Sequence, residues 1–256
     1  MVYILGGNGF VGSAIVSYYH KNHIAYKVIT RESYDDLKKI PCKIFINANG
    51  NSKKFLAKEQ PLIEFDASVR SVRSSLSDFT FDQYVYLSSC DVYPDCSSPS
   101  STLEDIELDI TKQSPYGFHK HLAELCVMHV AKYWLIIRMG GFVGPGMKKN
   151  PIFDILHEQP LWLDPTSELQ FMHTDYFAKI LIDILDKNIG NQIINICGSG
   201  TVSLNDVIAL TGKEASVKVG SPIVHYDVSI ERLRNMITIP SSRNTVLEFI
   251  RLQCNK

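Results

Sequence analysis

The sequence predicts an α/β fold built on a doubly wound parallel sheet, and three observations predict it. Short apolar runs rich in β-branched and aromatic residues alternate with segments of helical period. A glycine-rich turn joins the first of these runs to the first helical segment. The chain has 256 residues, 45% of them hydrophobic, enough to bury a sizeable core. The predicted strands cover residues 2–5, 26–30, 43–47, 83–88, 134–138 and 192–196. Most are continuously apolar rather than alternating, as strands covered by helices on both faces require. Between them Leu62, Phe65, Val69, Val72 and Leu76 recur at helical spacing and predict one amphipathic helix on the sheet. Phe177, Ile180, Leu181, Ile184 and Leu185 predict another. The serine-rich stretch 97–102 reads as a loop. From Gly140 onward Pro145, Pro151, Pro160 and Pro165 break the pattern until helical order resumes near Thr174. The sheet domain is therefore expected over residues 1–140. Residues 141–256 form a mixed region, a small discontinuous lobe plus a returning strand and helices over 174–198.

Composition narrows the function. Lys and Arg number 26 against 27 acidic residues, so no basic field exists to track a nucleic-acid backbone. Cys42, Cys90, Cys96, Cys126, Cys197 and Cys254 form no CxxC pair and have no histidine at zinc-site spacing. They read as free thiols in a reducing compartment, and no metal site is expected. No run approaches the ~20 apolar residues of a membrane-crossing helix, and residues 2–5 are apolar with no charged leader before them. The expected setting is the cytoplasm, away from any membrane, and the expected partner is a small molecule.

Gly6-Gly7-Asn8-Gly9-Phe10-Val11-Gly12 places glycines at the first, fourth and seventh positions between a strand and a helix. Gly6 permits the tight turn, Gly9 lets a pyrophosphate approach the backbone, and Gly12 lets the helix sit against the strand. Phe10 and Val11 open that helix, whose free N–H groups then face the negative charge. Glycines also punctuate turns that bind nothing, but this strand-to-helix setting predicts a Rossmann-type dinucleotide site. About 20 residues further on, an acidic residue usually accepts hydrogen bonds from the adenosine ribose of NAD. Here Thr30 stands at that place and Arg31 follows. A guanidinium there can pair with the 2′-phosphate of NADP through two parallel hydrogen bonds. The competing reading is that Arg31 solvates a loop beside Glu32. NADP is the expected cofactor, with NAD as the alternative.

Downstream, Ser114-Pro115-Tyr116-Gly117-Phe118-His119-Lys120 starts a helix, with Pro115 in its first turn and Tyr116 and Lys120 on one face. A phenol of pKa ~10 is a poor acid–base group at neutral pH, and a neighbouring ammonium lowers it by favouring the phenolate. Ordinary solvated helices carry the same pair, so alone it says little. Ser88-Ser89-Cys90-Asp91-Val92-Tyr93, however, closes a predicted strand and sets hydroxyls at the carboxyl end of the sheet, where open α/β folds bind ligands.

With these residues the sequence resembles the extended short-chain dehydrogenases, the NAD-dependent epimerase/dehydratase family. Ser88 to Tyr93 is similar to the family's Ser-Ser-x-x-Val-Tyr, and Tyr116 follows at the family's distance. Ile137-Arg138 with Val143-Gly144-Pro145-Gly146, Phe171-Met172-His173-Thr174-Asp175 and Asn195-Ile196-Cys197-Gly198-Ser199-Gly200 resemble further family segments in order. The resemblance implies a Rossmann-type sheet with a small C-terminal substrate lobe, hydride transfer to or from a nicotinamide cofactor, and a Ser89, Tyr116, Lys120 catalytic set. Tyr116 would exchange a proton with the substrate oxygen, Ser89 would hydrogen-bond it, and Lys120 would hold the nicotinamide ribose and lower the Tyr116 pKa. Asp91 and Met139 fall near the substrate and nicotinamide positions, and His173 matches a histidine read as structural. Asn47-Ala48-Asn49-Gly50 is more polar than the family's small-residue run, though Ala48 and Gly50 still allow approach to the adenosine side.

Departures concern the substrate. Gly141 replaces an Asn that often contacts a nucleotide-sugar, and Leu169-Gln170 replaces a polar pair. The leading expectation is an oxidoreductase that reduces a keto group of a sugar or nucleotide-sugar. The alternatives are a nucleotide-sugar epimerase or dehydratase that retains NAD, and a non-catalytic dinucleotide sensor. A homodimer is what the resemblance implies for assembly.

Overall fold

The computed structural model describes residues 1–51 and 53–254, excluding the side chain of Cys254. It divides into two compact units. The first comprises Met1–Pro94, Asp105–Met139 and Ala178–Ile194. Its sheet is built from β1 (Val2–Leu5), β2 (Tyr26–Ile29), β3 (Cys42–Asn47), β4 (Phe81–Ser89), β5 (Trp134–Met139) and β6 (Gln192–Ile196), in the order β2-β1-β3-β4-β5-β6. The pairings from β2 through β5 are parallel. Tyr3, Ile4, Phe45, Ile46, Tyr84, Tyr86 and Leu135 to Ile137 are all buried, which explains why these strands read as unbroken apolar runs.

Five strand ends differ from the sequence expectation: β2 ends at Ile29, β3 starts at Cys42, β4 starts at Phe81 and ends at Ser89, and β5 ends at Met139. β4 continues through Ser89 because its ladder with β5 extends to the pair Ser89 and Met139. β2 stops at Ile29 because the Thr30 amide turns to the Ser33 hydroxyl at 3.0 Å. A single helical turn, Tyr34–Leu37, then leads directly to β3, leaving β2 at the sheet edge. The usual doubly wound dinucleotide-binding order carries a further strand outside this one. Strand order reverses between β1 and β3, and the crevice at such a reversal is where ligands of these sheets bind.

The segment expected to form one amphipathic helix is built from α2 (Pro61–Phe65), a π turn (Asp66–Arg70) and α3 (Ser71–Asp78). Val69, Val72 and Leu76 are buried as expected, but Leu62 is 79% exposed and Phe65 lies at the surface. The wider π turn shifts the phase of the helix, so Glu64 and Ser68 face inward instead. In the second predicted helix, Thr174–Asp186, all five apolar marker residues are buried.

The second unit comprises Asp95–Glu104, Gly140–Phe177 and Asn195–Lys256. Its core gathers Val143, Ile152, Leu161, Phe171, Leu204 and Phe249 among others. Two small sheets pair Gly141–Val143 with Phe171–His173 and Glu168–Leu169 with Val202–Ser203. The serine-rich loop belongs to this unit through Thr102, whose hydroxyl accepts from the Ser229 amide at 2.8 Å. Among the described residues no helix is long and apolar enough to cross a membrane.

Candidate active site

The glycine turn is shaped by close approaches. Gly6 has φ +81°, and a Cβ there would lie 2.6 Å from the Asn49 amide nitrogen. A Cβ at Gly12 would lie 2.2 Å from the Gly6 carbonyl oxygen, so the first helix, α1 (Phe10–Lys21), can rest on the turn only with glycine at this position. Gly12→Ala is accordingly expected to destabilise the fold by about 1–3 kcal/mol or more through overpacking, read as a lowered Tm. Gly9 is different: it is exposed, and a Cβ would meet only the Gly6 oxygen, at 3.2 Å. Gly9 caps α1 without any side-chain hydrogen bond, so no side chain occupies the helix's leading N–H groups. A glycine-lined turn ahead of an uncapped helix N-terminus at the strand-order reversal fits the pyrophosphate of a dinucleotide. Phe10 and Val11 are half-buried at the start of that helix.

The Asn47 side chain is engaged within the fold. Its amide donates to the Tyr84 hydroxyl at 2.8 Å and its oxygen accepts from the Asn49 amide at 2.9 Å. The side chain is consumed in shaping the loop after β3, which leaves Ala48 and Gly50 to present backbone. Arg31 is exposed immediately beyond the edge strand, beside Glu32.

Ser89, Tyr116 and Lys120 come together in the first unit. The helix α4 (Pro115–Val130) begins with Pro115 and with Ser114 as its cap, the Ser114 hydroxyl accepting from the Gly117 amide at 3.0 Å. Tyr116 and Lys120 are 9% and 3% exposed, which rules out the solvated-face reading of the pair. Gly117, which sequence reasoning passed over, makes this possible. A Cβ there would lie 2.0 Å from the Asp91 carbonyl oxygen, so glycine lets the first turn of α4 press against the turn Cys90–Val92. Tyr116 then comes beside Ser89. The Ser89 hydroxyl donates to Asp91 Oδ2 at 2.8 Å, and Asp91 in turn pairs with Lys54 at 2.7 Å. Lys120 Nζ donates to the Leu87 carbonyl at 3.1 Å and sits 4.6 Å from the centre of the Tyr86 ring. A Cβ at Gly50 would be 3.5 Å from that nitrogen. Met139 stands beside Ser89 across the ladder.

The electrostatics correct one expectation. The Tyr116 pKa is raised, not lowered, because burial disfavours the phenolate and the charges of Asp91 and Glu64 add to it. The hydrogen bond to Ser89 opposes this only in part. Burial pushes Lys120 down to about 8 against the opposing pull of Glu124, Glu64 and Asp91. The phenol is therefore protonated at neutral pH, and the ammonium holds its proton with little to spare. Behind the site Arg138 grips Glu124 at 2.8 Å and reaches the Tyr93 hydroxyl at 2.9 Å, while Ser88 donates to Glu124 at 2.5 Å.

In the second unit Gly141 pairs with Phe171, and a Cβ there would lie 2.7 Å from the Gln170 carbonyl, which explains the glycine. Gln170 is buried with its amide on the Val228 backbone. His173 accepts from the Asp175 amide at 3.1 Å and rests against Tyr176 and Phe249. Among the described residues no cluster of His, Cys, Asp or Glu could hold a metal ion.

The sequence profile of the NAD dependent epimerase/dehydratase family matches residues 62–197, more than half of the chain. No curated protein sequence matches the chain significantly. Solved structures superpose over nearly its whole length. An NAD-dependent NDP-hexosamine 5,6-dehydratase involved in tunicamycin biosynthesis aligns with TM-score 0.82 and 19% identity, covering 100% of this chain and 98% of that one. A UDP-N-acetylglucosamine 4-epimerase from Methanobrevibacter ruminantium M1 gives 0.80 and 17%, covering 99% and 98%. A dTDP-4-dehydrorhamnose reductase from Bacillus anthracis str. Ames, in complex with NADP, gives 0.79 and 14%, covering 98% of each. At these identities the likeness is one of fold.

Proposed function

Because the chain belongs to the NAD-dependent epimerase/dehydratase family, a family of NAD(P)-dependent enzymes, we propose that it reduces a keto group of a nucleotide-sugar, with Ser89, Tyr116 and Lys120 as its catalytic set. The observation that carries this reading is the burial of Tyr116 beside Ser89 in its protonated form. Reduction of a carbonyl needs a protonated group at the oxygen. A bound nicotinamide cofactor supplies the hydride. Tyr116 gives its proton to the carbonyl oxygen, so no alkoxide accumulates. Ser89, whose hydroxyl is already fixed by Asp91, turns to the same oxygen and orients it. Lys120, next to Gly50, would hold the ribose hydroxyls of the cofactor. Gly6, Gly9 and Gly12 with the start of α1 would hold its pyrophosphate. A nucleotide-sugar substrate is supported by the solved structures of like fold, whose described substrates belong to that class. The test is turnover of a panel of nucleotide-diphospho-keto-sugars with NADPH and NADH, in which absence of turnover with every keto-sugar would overturn the reading.

NADPH is the proposed donor because Thr30 replaces the usual ribose-binding acid and Arg31 lies exposed just beyond it. Arg31→Ala is expected to cut the ratio of NADPH to NADH affinity by about tenfold, measured by calorimetry with each cofactor. Equal wild-type affinities would count against it. A second reading, epimerase or dehydratase, is supported by the like-folded structures described with NAD. It predicts NAD retained through purification, since an enzyme that returns the hydride to its own substrate has no need of exchange. The paired assembly expected from the family is proposed as a homodimer, to be read by sedimentation.

A further inference from the structure

Lys120 belongs to the buried stripe of α4 that it shares with Tyr116, Ala123, Glu124 and Val127, so its side chain runs against the sheet rather than into solvent. An ammonium placed there has lost its water and needs other support. Of its three N–H groups, one finds an acceptor among the described residues, the Leu87 carbonyl at 3.1 Å. The rest of the charge lies over the ring of Tyr86, whose centre is 4.6 Å from Nζ. A cation is drawn to the negative face of an aromatic ring, and the attraction grows as water is excluded. Tyr86 is fully buried in the middle of β4, in register with Asn47 of β3 on one side and Ile136 of β5 on the other. Two paired strands thus fix the ring, and it shares a core with Ala123 and Val127 of α4. Its hydroxyl has no hydrogen-bond partner among the described residues, so what Tyr86 offers the lysine is the ring alone.

We propose that Tyr86 is a positioning residue for Lys120: its ring face holds the buried ammonium over β4 by a cation–π contact and leaves two N–H groups free for the ribose hydroxyls of the cofactor. The second half rests on the reading of Lys120 as part of the catalytic set. A carboxylate in the same place would accept one of those protons, whereas a ring face attracts the charge without occupying a donor. The titratable groups around Lys120 are Glu124 and Tyr116 on its own helix, Glu64 on α2, itself bonded to His119, and Asp91 on the turn Cys90–Val92. Arg138 of β5 holds Glu124, and Lys54 holds Asp91. Asp66 and Arg70 of the π turn pair with each other at the surface, and Arg73 of α3 acts further along α4, at Cys126. All of these stay in place when Tyr86 is changed, so the share of the ring can be read by itself. Burial pulls Lys120 down to about 8, and its charge is lost as pH rises through that value. The ring favours the charged form, so removing it moves the loss toward neutrality.

The experiment follows Lys120 in the full-length, cofactor-free chain by NMR of 13C-labelled lysine, its signal assigned by its loss in Lys120→Arg. In the wild type the ε-methylene protons should be displaced upfield by the ring current of Tyr86, with a titration midpoint of about 8. Tyr86→Phe keeps the ring and should preserve both. Tyr86→Leu keeps an apolar side chain without a π face; it should lose the upfield displacement and lower the midpoint by about one pH unit. In turnover, the alkaline limb of kcat/KM should move down with the midpoint, costing Tyr86→Leu about fivefold at the wild-type midpoint relative to pH 6. An unmoved midpoint in folded Tyr86→Leu overturns the proposal, and so does an equal drop in Tyr86→Phe, which would trace the effect to the hydroxyl rather than the ring. Should Tyr86→Leu not fold, Tyr86→Met fills more of the space without a ring and is read in the same way. If the midpoint moves while kcat/KM keeps its wild-type pH profile, Tyr86 holds the ammonium as proposed and it is the catalytic reading of Lys120 that fails.

Discussion

Tyr116→Phe is expected to lower kcat by about 10²–10⁴-fold, the usual worth of a positioned proton donor, with cofactor affinity changed by less than about twofold. The split follows from where the hydroxyl sits. The ring of Tyr116 is buried in the first turn of α4 and keeps its packing in the variant, and Lys120, Gly50 and the glycine turn are untouched. What disappears is the proton that burial and the charges of Asp91 and Glu64 keep on the phenol. Ser89 cannot substitute, since a serine hydroxyl is a weaker acid still and its role at the oxygen is to orient it. Steady-state rates with an identified keto-sugar, beside calorimetric cofactor titration, read both halves. Turnover within tenfold of wild type would remove Tyr116 from the chemistry.

Gly9→Val is expected to abolish measurable dinucleotide binding, weakening it by about 100-fold or more, while the protein stays folded. The backbone at Gly9, φ −77° and ψ 171°, is one that valine adopts without strain. Its Cβ would touch only the Gly6 oxygen, at 3.2 Å, so the β-branched side chain projects into the space over the helix N-terminus where a pyrophosphate would lie. Gly12 offers the contrast, because there the added carbon collides with the turn itself and stability suffers first. Calorimetry and thermal unfolding of the two variants separate binding from folding. Unchanged affinity in Gly9→Val would mean that the turn is structural only.

Much of the site could be read along the chain because its signals are local. The glycine turn, the strand end at Ser89 and the i, i+4 spacing of Tyr116 and Lys120 each lie within one short segment, where backbone geometry follows directly from residue type. The strand positions were equally readable, since buried parallel strands announce themselves as apolar runs. Helix phase was less so. Periodicity turned Leu62 and Phe65 inward, and the π turn at Asp66–Arg70 turned Glu64 inward instead. No rule of spacing foresees a π turn, whose wider winding depends on what the helix meets.

The sequence by itself determined the parallel sheet, the dinucleotide-type turn and the identity of the three candidate catalytic residues, because propensity, periodicity and glycine geometry act over a few residues at a time. Only the tertiary structure decided their chemistry. A phenol beside a lysine in sequence was expected to lose its proton more readily. In the folded chain, burial and two carboxylates brought from Glu64 and Asp91, distant in sequence, hold that proton in place. The commitment of Asn47 to Tyr84 and the pressing of Gly117 against Asp91 likewise arise from contacts between segments. Charge and solvent exclusion act through space, and their sum at any one group is set by which distant segments the fold brings to it.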